Sequence, residues 1–149
     1  MIREANLNDV SKLLEMSKLF LSEAKVDKFI PLNEYDLMLW VRTLINNTDS
    51  VIIVYEEQGE IQGSIAGSIA SHYTNSKCRI ATEFAWWVYP EARGKVGQPL
   101  LNAFEVWAKA SNADVIVMAS LEELSPKLMD RVYTSLGYKV LDHSYIKGF

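Results

Sequence analysis

In the middle of the sequence, a predicted strand is followed by a short loop, a helix and then a second strand. The first strand, Cys78 to Tyr89, is rich in aromatic and β-branched residues, and the second is the run Val115 to Val117. Apolar residues at helical spacing form one face of the helix between them: Leu100, Leu101, Phe104 and Trp107. Two strands joined by a helical crossover lie parallel in one sheet. This unit makes the chain an α/β protein.

The segments around this unit predict a sheet that is otherwise antiparallel. Short turns separate three successive strands, as in a meander. Ser125 followed by Pro126 is a favourable start for a further helix. The predicted elements outside the central unit are a strand over Met1 to Glu4, helices over Val10 to Ala24 and Leu37 to Ile45, strands over Val51 to Glu56 and Glu60 to His72, a helix stopped by Gly137, and a last strand over Tyr138 to Ile146. Residues 1–149 are therefore predicted to form a single α/β domain with a mixed, mostly antiparallel sheet and about four helices.

Charge and cysteine content limit the functions that fit the chain. Fifteen Lys and Arg residues against 19 Asp and Glu residues give a net charge of −4, which argues against nucleic acid or an anionic membrane as a partner. A cationic partner fits better. Cys78 is the single cysteine, and no Cys/His cluster has metal-ligand spacing, so we expect neither a disulfide nor a metal site. The charged amino terminus and the lack of a long apolar run predict a cytoplasmic protein.

The loop between the central strand and the helix has features of an anion site. Arg93 and Lys95 supply positive charge, and Gly94 and Gly97 would let an anion approach the backbone. The first N–H groups of a helix have no intrahelical partner, and the helix dipole makes that end positive. A pyrophosphate would fit there. The alternative is a tight turn with solvated cations, because short glycine motifs are weak signals.

The sequence around this loop resembles motif A of the GCN5-related N-acetyltransferase (GNAT) family. The family form is a strand that ends in Val-x-Pro-Glu-x-Arg-Gly, followed by further glycines and a helix that begins with paired leucines. The matching residues are Val88, Pro90, Glu91, Arg93, Gly94, Gly97, Leu100 and Leu101. Val96 departs from the pattern, since it stands where a glycine is common, and the loop is one residue short. The paired tryptophans before Val88 resemble those of acetyltransferase-like proteins of bacteriophages.

The resemblance implies a GNAT-like fold and acetyl-CoA as cosubstrate. The strand that ends at Val88 would splay from the parallel strand Asp114 to Ala119, and the pantetheine arm would lie in the gap with its amides on strand backbone. An amide near Val88 would stabilise the oxyanion. The implied cofactor-binding residues are Trp87, Val88, Tyr89, Arg93, Gly94, Lys95, Val96, Gly97 and Gln98.

Two side chains are candidate catalytic residues by the same resemblance. Glu83 lies in the strand where many members of the family carry a glutamate that acts as general base, and partial burial would raise its pKa. The alternative is a carboxylate that is satisfied by a strand neighbour or that holds a substrate cation. Tyr133 begins the family's Tyr-x-x-x-Gly-Tyr ending of the fourth helix, where the hydroxyl acts as general acid. The alternative is a tyrosine whose ring packs on the core.

The resemblance therefore predicts an N-acetyltransferase that works by direct attack in a ternary complex. The acceptor amine would belong to a small molecule, to a protein lysine or to a protein amino terminus. The sequence is also compatible with a homodimer. A GNAT-fold protein that binds a macromolecular partner without catalysis is the alternative, because fold does not fix function.

Overall fold

The computed structural model describes all of residues 1–149 and contains five strands and four α-helices. The strands are β1 (Ile2–Glu4), β2 (Ser50–Glu57), β3 (Glu60–His72), β4 (Asn75–Val88) and β5 (Val115–Val117). The helices are α1 (Val10–Glu23), α2 (Glu34–Asn46), α3 (Gly97–Ala110) and α4 (Pro126–Ser135). Each strand and helix predicted before residue 138 is present, with ends shifted by a few residues.

One sheet contains all five strands in the order β1-β2-β3-β4-β5. The first four strands pair antiparallel, and β4 pairs parallel with β5. The helix α3 connects these last two strands, so the predicted strand-helix-strand unit is confirmed. The prediction of an α/β fold with a mixed, mostly antiparallel sheet and about four helices is also confirmed.

The strands place apolar side chains on both faces of the sheet, because successive residues of a strand point to opposite faces. In β2, Ile52 and Val54 belong to the core beneath α1 and α2. Their neighbours Val51 and Ile53 belong to the core beneath α3, around Phe104. The nearly continuous apolar run of β2 follows from this covering of both faces.

Residues with positive φ angles lie on both sides of α4. Gly137 has a φ of +88°, which favours glycine, and it follows the end of α4. Ser125 lies immediately before α4, at the predicted start of the helix, but it has a φ of 53° and its side chain makes no capping hydrogen bond. Pro126 occupies the first turn as predicted. None of the helices is both long enough and apolar enough to cross a membrane.

The predicted last strand is absent. Residues 138–149 have no helix or strand, and residues 139–149 make no backbone-to-backbone hydrogen bond. The outer edge of β5 consequently has no neighbouring strand. An alternating pattern predicts which side chains could share a face, but a strand forms only where backbone groups find partners. The interpretation of Tyr138 to Ile146 as a strand was wrong for this reason.

Candidate active site

The parallel pair β4 and β5 diverges after three residues. Pairing runs from Ile80 with Val115 to Thr82 with Val117, and beyond it β4 continues to Val88 with only β3 as its partner. The N–H of Tyr89 donates to Gln62 on the β3 side. Because N–H groups alternate between the two edges of a strand, the N–H of Val88 points to the open edge. The sequence-based expectation of a splay next to Val88 agrees with this geometry.

A β-bulge in β4 lies where the divergence begins. Ala85 pairs with Ala66, and Glu83 pairs with the next residue of β3, Gly67, so Phe84 is the extra residue. Bulges bend a strand and re-aim its side chains. Here Phe84 stays 42% exposed, whereas Glu83 is only 8% exposed. The bulge thus separates a surface aromatic residue from a buried carboxylate.

A cavity of about 400 Å³ occupies the gap between the diverging strands. Its walls come from the carboxyl end of α1, the end of β4, the loop before α3, the segment after β5 and α4. Aromatic and aliphatic side chains supply much of the lining, including Phe20, Phe84 and Met129. Both candidate catalytic side chains, Glu83 and Tyr133, also line it.

Glu83 and Tyr133 meet at the backbone of one residue beyond β5. The N–H of Ala119 donates to Oε2 of Glu83 at 3.0 Å. The hydroxyl of Tyr133 donates to the carbonyl oxygen of Ala119 at 2.8 Å. Side chains from β4 and α4 are therefore joined through Ala119, which the sequence did not single out.

Burial raises the pKa of the Glu83 carboxyl from 4.5 to about 7, although the hydrogen bond from Ala119 opposes the shift. Desolvation disfavours the charged form of a buried acid. The second oxygen, Oε1, has no hydrogen-bond partner in the protein. A carboxyl with a pKa near neutrality and a free oxygen at a cavity wall is suited to accept a proton.

The Tyr133 hydroxyl keeps its proton at neutral pH. Burial raises its pKa, and electrostatic interactions with the neighbouring groups Glu83 and Tyr138 raise it further. Its ring lies 6.3 Å from that of Trp86 and 5.3 Å from that of Tyr138, between centroids. Tyr133 thus combines a packed ring with a protonated hydroxyl at the cavity, and this geometry is compatible with both interpretations of the residue.

The loop before α3 presents three backbone N–H groups without a protein partner. They belong to Gly94, Gly97 and Gln98, and all three residues line the cavity. Gly94 has a φ of +85°, which favours glycine. The amides of Lys95 and Val96, by contrast, donate to Ala92. Free amides at the positive end of the 14-residue helix α3 fit the charge of a pyrophosphate.

Arg93 lies at the cavity with its charge already paired. Its guanidinium donates to Oε2 of Glu23 at 2.6 Å and to the carbonyl of Val88 at 3.0 Å. The indole N–H of Trp87 donates to the same oxygen of Glu23 at 2.7 Å. The Arg93 guanidinium accordingly holds the pKa of Glu23 below its ordinary value. Glu23 is a second site residue that the sequence did not indicate.

The structure divides the predicted cofactor-binding residues into two groups. Six of them line the cavity: Trp87, Val88, Arg93, Gly94, Gly97 and Gln98. The other three side chains point elsewhere. Tyr89 donates to Glu15 at 2.8 Å, and Lys95 pairs with Glu57 at 2.6 Å. Val96 is fully buried in the core beneath α3, so its side chain is not available to a ligand.

Comparisons with known proteins agree with this geometry. A model of the acetyltransferase (GNAT) family matches residues 13–138. No curated protein sequence shows a significant match.

Three solved structures share the fold at low identity. A predicted acetyltransferase from Clostridium acetobutylicum, solved with acetyl-CoA, is 21% identical with a TM-score of 0.78, over 99% of this chain and 95% of that one. An aminoglycoside N-acetyltransferase in complex with CoA is 14% identical with a TM-score of 0.79, over 99% and 92% of the two chains. A ribosomal-protein-alanine N-acetyltransferase from Brucella melitensis is 13% identical with a TM-score of 0.72, over 100% and 99%.

Proposed function

Because this chain belongs to the acetyltransferase (GNAT) family, we propose that it transfers an acetyl group from acetyl-CoA to an amine by direct attack in a ternary complex. The observation that carries the proposal is the cavity between β4 and β5. There Glu83, Tyr133 and the open backbone edge at Val88 face the same space, and the free amides of the loop before α3 lie at the same wall.

The chain offers separate surfaces for the parts of acetyl-CoA. The N–H groups of Gly94, Gly97 and Gln98 would hold the pyrophosphate at the start of α3. The open edge of β4 up to Val88 would pair with the amides of the pantetheine arm, as an unpaired strand edge pairs with an added strand. Acetyl-CoA would supply an activated thioester whose carbonyl carbon accepts the amine.

Three groups of the chain would act on the reacting atoms. Oε1 of Glu83 would take a proton from the amine, directly or through water. The N–H of Val88 would stabilise the negative oxygen that develops on the carbonyl. The Tyr133 hydroxyl would give its proton to the departing sulfur, for which it must leave the carbonyl of Ala119. With no cysteine lining the cavity, a covalent acetyl-enzyme has no nucleophile of that kind.

The charge of the cavity supports an amine acceptor. Three carboxylates line it, of which Glu23 pairs with Arg93 and Glu123 pairs with Lys25. Glu83 is left without a cationic partner, so a cationic amine would find it free. Among the relatives by fold, one acetylates aminoglycosides and another the alanine of a ribosomal protein. The acceptor proposed here is therefore an amine of a small molecule or of a protein, with an apolar portion facing Phe20 and Phe84.

Cofactor binding and thiol release test the proposal in two steps. Thermal unfolding with acetyl-CoA should show stabilisation, since a ligand at 100 times its dissociation constant adds about 2.7 kcal/mol. A panel of amines should then be screened for CoA thiol release. Failure to bind acetyl-CoA would overturn the proposal. Tight binding with no transfer to any amine would instead favour the non-catalytic binding protein.

A further inference from the structure

A side chain bridges the gap between β4 and β5 at the point where the next backbone hydrogen bond between parallel strands would be expected. The last backbone pairing joins Thr82 and Val117. The next contact across the gap runs from Oε2 of Glu83 to the N–H of Ala119, at 3.0 Å. Because the bulge at Phe84 directs Glu83 into the gap, a carboxylate takes the place of a strand carbonyl.

Ala119 depends on side chains for its hydrogen bonds. It makes no backbone-to-backbone hydrogen bond, and its two polar groups go to Glu83 and Tyr133. The N–H of Ala119 has Glu83 as its single acceptor in a partly buried hydrogen bond, so this carboxylate ties the segment after β5 to β4. The Glu83 side chain thereby fixes the distance between this segment and β4.

We infer that Glu83 is a positioning residue for the cofactor channel: its side chain is the spacer that sets the width of the gap between β4 and Ala119. This role rests on the proposed function, because the gap is the proposed place of the pantetheine arm. It is separate from the role of Glu83 as a base, since the spacer uses Oε2 as an acceptor and the base uses Oε1. A glutamine retains the length and one acceptor oxygen, and only the proton-accepting charge is lost.

Binding of CoA alone separates the two roles, because CoA carries no acetyl group and no acceptor is present. Glu83→Gln should bind CoA within about twofold of the wild-type protein in calorimetric titration while losing acetyl transfer. Glu83→Ala should bind CoA at least about tenfold more weakly, because the N–H of Ala119 loses its acceptor and no side chain then sets the width of the gap. Glu83→Asp, which is shorter by one methylene, should also bind more weakly than Glu83→Gln. Glu123→Ala is the matched control, since that carboxylate lines the cavity but pairs with Lys25.

Amide hydrogen exchange at Ala119 gives a readout that does not depend on the cofactor. Exchange should be slow in the wild-type protein and in Glu83→Gln, and faster in Glu83→Ala, measured by nuclear magnetic resonance without ligand. Equal exchange rates in all three proteins would overturn the spacer role, as would unchanged CoA affinity in Glu83→Ala. Absence of CoA binding by the wild-type protein would instead overturn the proposed function, and the exchange experiment would still decide whether Glu83 holds Ala119.

Discussion

At the scale of single residues, the Tyr133 hydroxyl combines a structural bond with a proposed chemical role. Tyr133→Phe removes the donor to the carbonyl of Ala119 and keeps the ring among Trp86 and Tyr138. We expect CoA affinity to stay nearly unchanged and the rate of the chemical step to fall by about 10²-fold, or by less because a thiolate leaves readily. Single-turnover thiol release measures the rate. Full turnover where chemistry is rate-limiting would show that the tyrosine only packs.

Gly97 offers a second test, at the start of α3. A Cβ there would lie 3.4 Å from the Trp86 ring, an ordinary contact, so the fold has room for a side chain. The branched side chain of Gly97→Val would crowd the free N–H groups of Gly97 and Gln98, so CoA should bind more weakly with little change in stability. Calorimetric titration and urea unfolding measure the two effects. Gln98→Ala is the control, because that side chain bonds only Asn102; equal CoA affinity in all three proteins would mean that the loop is only a turn.

The sequence predicts those parts of the candidate site that are formed by side chains, but not the parts formed by backbone groups. Glu83 and Tyr133 were indicated by their positions in family motifs, and the structure brings both to one cavity. Ala119 contributes only an N–H and a carbonyl, which any residue possesses, so no residue type could reveal it. Arg93 was predicted as a cation, but its partner Glu23 lies 70 positions away in the sequence. Such long-range pairing becomes visible only in the folded chain.

At the scale of elements, hydrophobic period and crossover rules were enough for the helices and the first five strands. They failed for the last segment because residues 139–149 find no backbone partner, and β5 offers an edge of only three residues. They also missed the bulge at Phe84, since one extra residue in β4 leaves the apolar pattern of the strand intact. The direction of the Glu83 side chain depends on that bulge, so the local chemistry of the site follows from a detail of β4 that the apolar pattern does not contain.

Two glycines of β3 test how rigidly the bulge is held. A Cβ on Gly67 would clash with the backbone oxygen of Thr82 and with the ring of Phe104, whereas a Cβ on Gly63 would meet only side-chain atoms, at 2.9 to 3.0 Å. Gly67→Ala should therefore lower the free energy of unfolding by about 2 kcal/mol or more, and Gly63→Ala by less, because side chains can move aside more readily than paired backbone. Urea unfolding of both variants measures this. Equal losses would indicate that β4 shifts freely opposite Gly67.

At the scale of the whole molecule, the groups around the cavity lower the stability of the fold. The sheet is covered on both faces by helices, yet its last two strands lose backbone pairing after Thr82, and a carboxylate is buried beside the gap without a cation. Burial of an unpaired charge is unfavourable, and the raised pKa of Glu83 expresses that cost. The ionisation of Glu83 should therefore make one contribution to the pH dependence of the stability of the domain.

The sign of that dependence follows from proton binding. The Glu83 carboxyl has a pKa of about 7 in the folded protein and an ordinary value of 4.5 when unfolded, so between these values the folded state binds a proton that the unfolded state has released. The free energy of unfolding thus falls by about 3 kcal/mol in all as pH rises through this window. Above the window, the contribution of Glu83 no longer changes with pH. Glu83→Gln lacks the effect, so its free energy of unfolding minus that of the wild-type protein should increase from about pH 4.5 to about pH 7.5.

Urea unfolding of both proteins across this range measures the difference, and subtraction cancels the titration of all other groups. Glu23→Gln serves as a control of opposite sign, because the Arg93 guanidinium lowers the pKa of Glu23 and makes its charge stabilising once it is ionised. For that variant the measurement extends below pH 4.5, where the wild-type protein should gain relative stability as pH rises towards 4.5, the ordinary pKa of Glu23. A flat difference for Glu83→Gln would mean that the carboxyl of Glu83 titrates alike in the folded and unfolded chain. It would then lack the raised pKa that suits it to act as a base near neutral pH.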